Sequence, residues 1–178
     1  MMKSRKITMV WKFIYWPVIW FFVFVPALFW PVSLHGILKI SGMFTGVILL
    51  AVALLLTSAG GRTLAKWGHK EAHETIWPDN FIDFGIFSCM RHPMHLGLAL
   101  FPVAVALMSG SVPAICSSGW GVSSALWFVL HIEEKDALSK YGLVYSEYMQ
   151  RVLPFSFTVN CLKKALMIWQ NKKAGASE

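Results

Sequence analysis

Apolar residues run almost unbroken from Met9 to Trp30 and again from Ile37 to Ser58. At about 1.5 Å per helical residue, each stretch can cross a hydrocarbon core of about 30 Å. A polar segment follows, Gly60–Phe84, holding Arg62, Lys66, Lys70, Glu71, Glu74, Asp79 and Asp83. Apolar residues then resume. No Lys, Arg, Asp or Glu lies between Arg91 and Glu133, and turn residues interrupt that stretch near its middle, at Ser109-Gly110-Ser111-Val112-Pro113. This pattern predicts a hairpin of two further spans, Pro93–Ser109 and Val112–His131, about 25 and 30 Å long. Pro31–Gly36 supplies the turn between the first two. The expected fold is all-α: an integral membrane helical bundle of about four spans (9–30, 37–58, 93–109 and 112–131) in a single domain, with interfacial amphipathic helices.

Finer features sit on this frame. Pro17 and Pro26 are placed to kink span one, Lys12 to snorkel to the interface, and Trp11, Tyr15, Trp16, Trp20 and Trp30 to join aromatic belts. Gly42 and Gly46 have GxxxG spacing, which reads as close helix packing rather than a dimer face. The early part of Gly60–Phe84 suits a separate interfacial helix, with Leu64 and Trp67 toward lipid. Residues 133–173 form a C-terminal helical segment. Within it Glu134, Leu138, Tyr141, Tyr145, Tyr148 and Val152 recur at steps of four and three, one helical stripe, with Gly142 marking a bend. Glu133 lies about 100° away from that stripe. Phe157–Lys173 is mildly amphipathic and is expected on the surface.

Composition agrees with a bilayer as the solvent. Hydrophobic residues make up 56% and charged residues 14%, with mean hydropathy +0.56; soluble domains carry about a quarter charged. The net charge of +7 comes from Lys and Arg beside apolar spans. That suits anionic headgroups and not a nucleic acid. Lys3, Arg5 and Lys6 precede span one, Arg62, Lys66 and Lys70 follow span two, and seven more basic residues follow span four. The turns Pro31–His35 and Ser109–Pro113 carry none. The positive-inside rule then puts both termini, the polar loop and any site at the cytoplasmic face. The basic N-terminus leads into an aromatic span without a small-residue cleavage site, so it reads as retained. The three cysteines, Cys89, Cys116 and Cys161, suggest neither a disulfide framework nor a zinc site. His69 and His73 stand at i,i+4 beside Glu74, but Lys70 replaces the Glu of an H-E-x-x-H motif, so a metal is not expected.

Chemistry concentrates in two clusters that the hairpin brings to one face. The first is Arg91-His92-Pro93-Met94-His95-Leu96-Gly97; the second is His131-Ile132-Glu133-Glu134 and the tyrosines after it. Pro93 suits a first helical turn, and Arg91 offers a planar fork of donors to a carboxylate or phosphate. Charged groups at membrane depth cost about 2.5–3.5 kcal/mol on insertion scales, so they tend to face a cavity or a partner. A carboxylate heading an aromatic stripe suits a ligand that is cationic and partly aromatic.

Gly85-Ile86-Phe87, Arg91-His92-Pro93-Met94 with Gly97, and then Glu133-Glu134, Leu138, Tyr141-Gly142, Tyr145, Tyr148, Arg151 and Pro154-Phe155 together resemble the C-terminal half of the isoprenylcysteine carboxyl methyltransferases. The phospholipid N-methyltransferases are similar. The resemblance covers Gly85–Phe155. It implies an integral membrane enzyme that uses S-adenosylmethionine to methylate a lipophilic acceptor: a prenylcysteine-type carboxylate, a phospholipid amine or similar. Carried over by position, it makes His92, Glu133 and Glu134 cofactor contacts, supported by Arg91 and Tyr145. The chain departs from the pattern at His95 and Cys89, where the family usually has aromatic residues.

Membrane sterol reductases, which bind NADPH, share the Arg-His-Pro-x-x-x-Gly motif and a Lys-Tyr-Gly segment like Lys140-Tyr141-Gly142. They have Trp where this chain has Tyr145 and lack the paired glutamates. A non-catalytic membrane protein of the same fold is a third possibility. For methyl transfer, an amine or thiol acceptor must lose a proton whereas a carboxylate need not. Arg91, His95 and His131 are the candidate catalytic groups.

Overall fold

The structure, a computed structural model, describes residues 2–69 and 78–174. It is all helical, with no strand among the described residues. The helices are α1 (Met2–Phe29), α2 (Gly36–Trp67), α3 (Pro93–Ser109), α4 (Val112–Phe128), α5 (Glu134–Tyr141), α6 (Leu143–Arg151) and α7 (Val159–Ala174). A 3-10 turn, Gly85–Ser88, comes before α3, and a π turn, Val129–Glu133, joins α4 to α5. Trp11–Phe29, Gly36–Trp67 and Val112–Tyr141 are long and apolar enough to cross a membrane, and α3 is a shorter apolar helix. The expected span 93–109 coincides with α3.

The chain forms two compact units, the first comprising Met1–Ala51 and Leu98–Phe128. Between helices in lipid there is little hydrophobic drive, so close packing and hydrogen bonds must hold them. In this unit α1 packs on α4 through small residues: a Cβ on Gly121 would lie 2.6 Å from Val23 Cγ2. Tyr15 stacks on the buried Phe128 at 4.3 Å, and Trp11 and Trp16 meet the same ring edge-on. Tyr15 Oη donates to Ser124 O at 3.0 Å and Ser117 Oγ to Val23 O at 2.6 Å. Gly46 lets α2 approach α3, since a Cβ there would meet Ala104 O at 2.7 Å; the GxxxG spacing serves packing within the chain. The two turns also pair: Leu34 N donates to Gly110 O at 2.8 Å and Val112 N to Val32 O at 3.0 Å. Lys12 does not snorkel. It is 6% exposed, because it shares a stripe of α1 with Trp16, Ile19 and Val23, all buried. Trp16 likewise belongs to the interior and not to an interfacial belt.

The second unit comprises Val52–Gly97 and Val129–Glu178. Here α2 departs from expectation. Its helix does not end near Ser58 to give way to a separate interfacial helix but runs on to Trp67. Gly60 and Gly61 resemble a stop signal, yet Gly60 is a seat for the first turn of α3: a Cβ there would lie 3.1–3.2 Å from Met94 and Pro93. Gly97 serves the same purpose, facing Ala53 and Thr57 with no room for a Cβ. The helix stops at Gly68, whose carbonyl then accepts from Asn80 N at 3.0 Å. Past the π turn, the predicted tyrosine stripe is split at Gly142, where φ is +59°. A left-handed residue there ends α5 and starts α6 in a new direction.

The tail is docked as well as amphipathic. On α7, Cys161 and Ala165 are fully buried while Leu166 is exposed. Contrary to the expectation of no disulfide, Cys161 is bonded to Cys89 with Cα atoms 5.6 Å apart. Lys164 Nζ adds a hydrogen bond to Ser88 Oγ at 2.7 Å.

Candidate active site

The two polar clusters meet, as the hairpin predicts. The backbone N–H groups of Arg91 and His92 donate to Leu153 O and Pro154 O at 3.0 and 3.1 Å, which fixes this pair beside the end of α6. The Arg91 guanidinium then reaches two kinds of acceptor. Its Nε and Nη2 both donate to Glu134 Oε1, at 2.9 and 2.5 Å. Its Nη1 donates to Met149 O and Val152 O at 2.9 and 2.5 Å. These carbonyls lie at the C-terminal end of α6, where a cation is favoured. His92 Nε2 lies 3.2 Å from the same Glu134 oxygen. Arg91, His92 and Glu134 side chains are each under a tenth exposed. Arg91 is thus a strut joining α3, α5 and α6, held by charge-assisted bonds that tolerate no loss of a partner.

Beside this strut lies an open-sided cleft of about 120 Å³. Leu64, Phe81, His92, His95, Glu133 and Tyr145 are among its walls. Leu64 therefore turns inward rather than toward lipid, while Trp67 is exposed as expected. The glutamates diverge, as neighbours about 100° apart around a helix must. Glu134 is spent on Arg91 and His92; Glu133, 7% exposed, is the one that lines the cleft.

The tyrosines behave differently from one another. Tyr148 Oη donates to Phe87 O at 2.5 Å and braces the wall. Tyr145 Oη is buried beside the Arg91 guanidinium, and its own proton meets no acceptor among the described residues. Burial, reinforced by the Glu134 charge and opposed by Arg91, pushes its pKa up to about 12, so the hydroxyl remains a proton donor across the physiological range. Burial also raises Tyr148. Phe81 stands edge-on to Tyr145 and Tyr148 at 6.2 and 5.2 Å, giving the cleft an aromatic side.

The remaining candidates separate. His95 lines the cleft, its ring 5.6 Å from that of His92. His131 is exposed on the π turn and does not line the cleft. Leu64 and Phe81 carry no signal in the sequence, being apolar residues among many. Among the described residues no His, Cys, Asp or Glu group is arranged to hold a metal ion, and His73 and Glu74 lie outside them.

A sulfonium cofactor with an amino-acid tail and a nucleoside fits this donor set in kind. Glu133 is a buried carboxylate for a cation or for hydroxyls, Tyr145 a buried donor without a protein acceptor, and Phe81 with the tyrosines an aromatic wall. Comparison with curated proteins and with solved structures finds no match. Comparison with protein families matches residues 41–143 to phospholipid methyltransferase. That stretch runs from α2 through both polar clusters to the start of α6 and covers more than half of the sequence: the chain belongs to the phospholipid methyltransferase family.

Proposed function

We propose that this integral membrane methyltransferase takes its methyl group from S-adenosylmethionine and passes it to a lipophilic acceptor at the cleft. The observation that carries this is the convergence of a buried carboxylate, Glu133, and a buried hydroxyl, Tyr145, whose proton meets no acceptor among the described residues, on one aromatic-walled cleft. When bound, the cofactor supplies a methyl group already activated by its positive sulfur. The protein needs only to hold it, exclude water and orient the acceptor. Glu133 answers positive charge or hydroxyls, the Tyr145 hydroxyl donates to an acceptor atom, and Arg91 with Glu134 keeps His92 and the first turn of α3 in place. Isothermal titration calorimetry on detergent-purified protein tests the reading. S-adenosylmethionine is expected to bind, and Glu133→Gln to weaken it by about tenfold, the loss of one hydrogen bond to a charged group. Binding of NADPH instead would overturn it in favour of a reductase.

The acceptor is lipid-tailed and enters from the bilayer, because α3 and α4 bear no charged residue between Leu96 and Phe128. Each methylene of a tail buried there contributes about 0.8 kcal/mol. Activity restricted to short water-soluble acceptors would exclude this. We place the four spans in one membrane domain, with both termini and the cleft cytoplasmic, on the distribution of Lys and Arg. Accessibility labelling of Ser4→Cys and Ser177→Cys on opposite sides would refute that orientation.

A further inference from the structure

We propose that Cys89–Cys161 is a reversible thiol–disulfide exchange site, opened from the Cys89 side by a small thiol such as glutathione, with Cys161 as the sulfur that leaves. Opening it frees α7 from the turn that carries one wall of the cleft. Neither cysteine lines the cleft, so the exchange needs no methyl donor and stands apart from the methyltransferase reading.

The two sulfurs have unequal surroundings. Cys89 is half-buried at the end of the Gly85–Ser88 turn, whereas Cys161 is fully buried. A thiolate from solution therefore reaches Cys89 and not Cys161. The buried sulfur is the one prepared to carry charge. Thr158 Oγ1 and Ser156 Oγ lie 3.0 and 3.3 Å from Cys161 Sγ, while Thr158 Oγ1 is 4.0 Å from Cys89 Sγ. Hydroxyl hydrogens rotate to suit their neighbours, so both can donate to a sulfur anion. Cys161 is also the third residue of α7, where the N–H groups of a helix start favour negative charge. Cys89 stands past the end of a helical turn, where carbonyls are presented instead. Lys164, one turn further along α7, donates to Ser88 Oγ at 2.7 Å and brings a positive charge to the same junction.

The exchange balances in two steps. A glutathione thiolate attacks Cys89 Sγ. A new S–S bond forms there, the Cys89–Cys161 bond breaks, and its electron pair leaves on Cys161 Sγ. A second glutathione thiolate then attacks the glutathione sulfur of the mixed disulfide, releasing Cys89 as a thiolate and forming glutathione disulfide. The protein gains two electrons and the two glutathiones lose them. The two protons given up by the glutathione thiols pass through water to Cys89 and Cys161. Glutathione disulfide drives the same steps backward.

The bond reaches the cleft through one short segment. Phe87, two residues before Cys89, lines the cleft and accepts from Tyr148 Oη at 2.5 Å; Arg91 follows two residues after. Closing the bond clamps α7 to that segment, and opening it removes the covalent half of the junction.

The test uses the full chain with Cys116→Ser, oxidised, in nanodiscs. Glutathione is added to the folded protein, the mixture is quenched with N-ethylmaleimide in denaturant, and the peptides are weighed. The trapped intermediate is expected to carry glutathione on Cys89 and maleimide on Cys161. Added glutathione disulfide should close the bond again, and hydrogen exchange in α7 should rise and fall with it. Thr158→Val is expected to slow opening by about tenfold, the loss of one hydrogen bond to a charged group, and Thr158→Ser to stay within about twofold of wild type. A substitution that merely loosened α7 would speed opening, so the direction separates the two effects. Glutathione found on Cys161 would overturn the assignment, as would Thr158→Val opening as fast as wild type or faster. A bond that glutathione opens only after the protein has been unfolded would overturn it as well, leaving a purely structural cross-link.

Discussion

Arg91 and Glu134, 43 residues apart, share a single carboxylate oxygen through two guanidinium nitrogens. The pair joins the start of α3 to the start of α5, and the same oxygen also faces His92 Nε2. This is a buried ion pair whose arginine is completed by two backbone carbonyls. It holds Arg91 and His92, both of which line the cleft, in one arrangement.

Glu134→Ala is therefore expected to act mainly on stability. It leaves Arg91 buried without its counter-charge, at a cost of about 3–5 kcal/mol. Thermal unfolding in detergent should show a large loss, and Arg91→Met combined with Glu134→Met should recover much of it. Glu133→Gln, which leaves the strut intact, should lose less. Equal losses from Glu133→Gln and Glu134→Ala would contradict the division between them.

Tyr145→Phe should do the opposite. Removing a buried hydroxyl whose proton has no acceptor among the described residues relieves part of a desolvation cost of about 1–3 kcal/mol, so the ligand-free protein is expected to be about as stable as wild type. Cofactor affinity should fall by about tenfold, from a lost hydrogen bond worth about 0.5–1.5 kcal/mol. With the hydroxyl pKa raised to about 12, its neutral donor form persists at lower pH. The ratio of wild-type affinity to that of the Tyr145→Phe variant should then be flat between about pH 6 and pH 9. A ratio that collapses within that range would show that another group controls the contact.

What the sequence shows of this molecule is what charge and length control. The absence of charge between Arg91 and Glu133, with one turn in the middle, is enough to place α3 and to bring the two clusters together. Which of Glu133 and Glu134 lines the cleft is not visible there, because the pattern gives the angle between them but not that Arg91, 43 residues away, takes Glu134. Gly60 misleads for a related reason: glycine marks both a helix end and a close approach, and the neighbour Met94 is distant in sequence. Lys12 misleads because a positive charge near a span's end normally reaches outward; its stripe with Trp16 and Val23 decides otherwise. His131 and His95 look alike in sequence, and the position of each around its own helix separates them.

Gly46 tests the packing of α2. A Cβ there would lie 2.6 Å from Met108 Cγ and 2.7 Å from Ala104 O, and the carbonyl belongs to a helix that cannot yield locally. Gly46→Ala is expected to destabilise by about 1–3 kcal/mol, the usual cost of overpacking. Gly119 offers the control, because a Cβ there meets nothing within 4 Å. Gly119→Ala should be neutral or stabilising by up to about 1 kcal/mol through helix propensity. Thermal unfolding in one detergent compares the two variants; a larger loss at Gly119 would mean that α2 and α3 do not approach through Gly46.

The Cys89–Cys161 bond ties α7 to the turn two residues before Arg91, across a separation of 72 residues. Closing a loop of that length stabilises by about 2–4 kcal/mol, largely by restricting the unfolded chain. Cys116 is the free thiol, and it is exposed. Maleimide labelling of denatured, unreduced protein should therefore add one label, and labelling after reduction should add three. Reduction should also lower the unfolding temperature and speed hydrogen exchange in α7, because Lys164 to Ser88 is then left to hold it there alongside the buried faces of Cys161 and Ala165. If this end of the molecule faces the cytoplasm, where thiols are kept reduced, cells quenched with the reagent before lysis should yield three labels, and protein purified in air one. Three labels in the unreduced purified protein would show that the bond does not form. One label in both samples would place this end of the molecule in an oxidising compartment, reversing the orientation drawn from the basic residues.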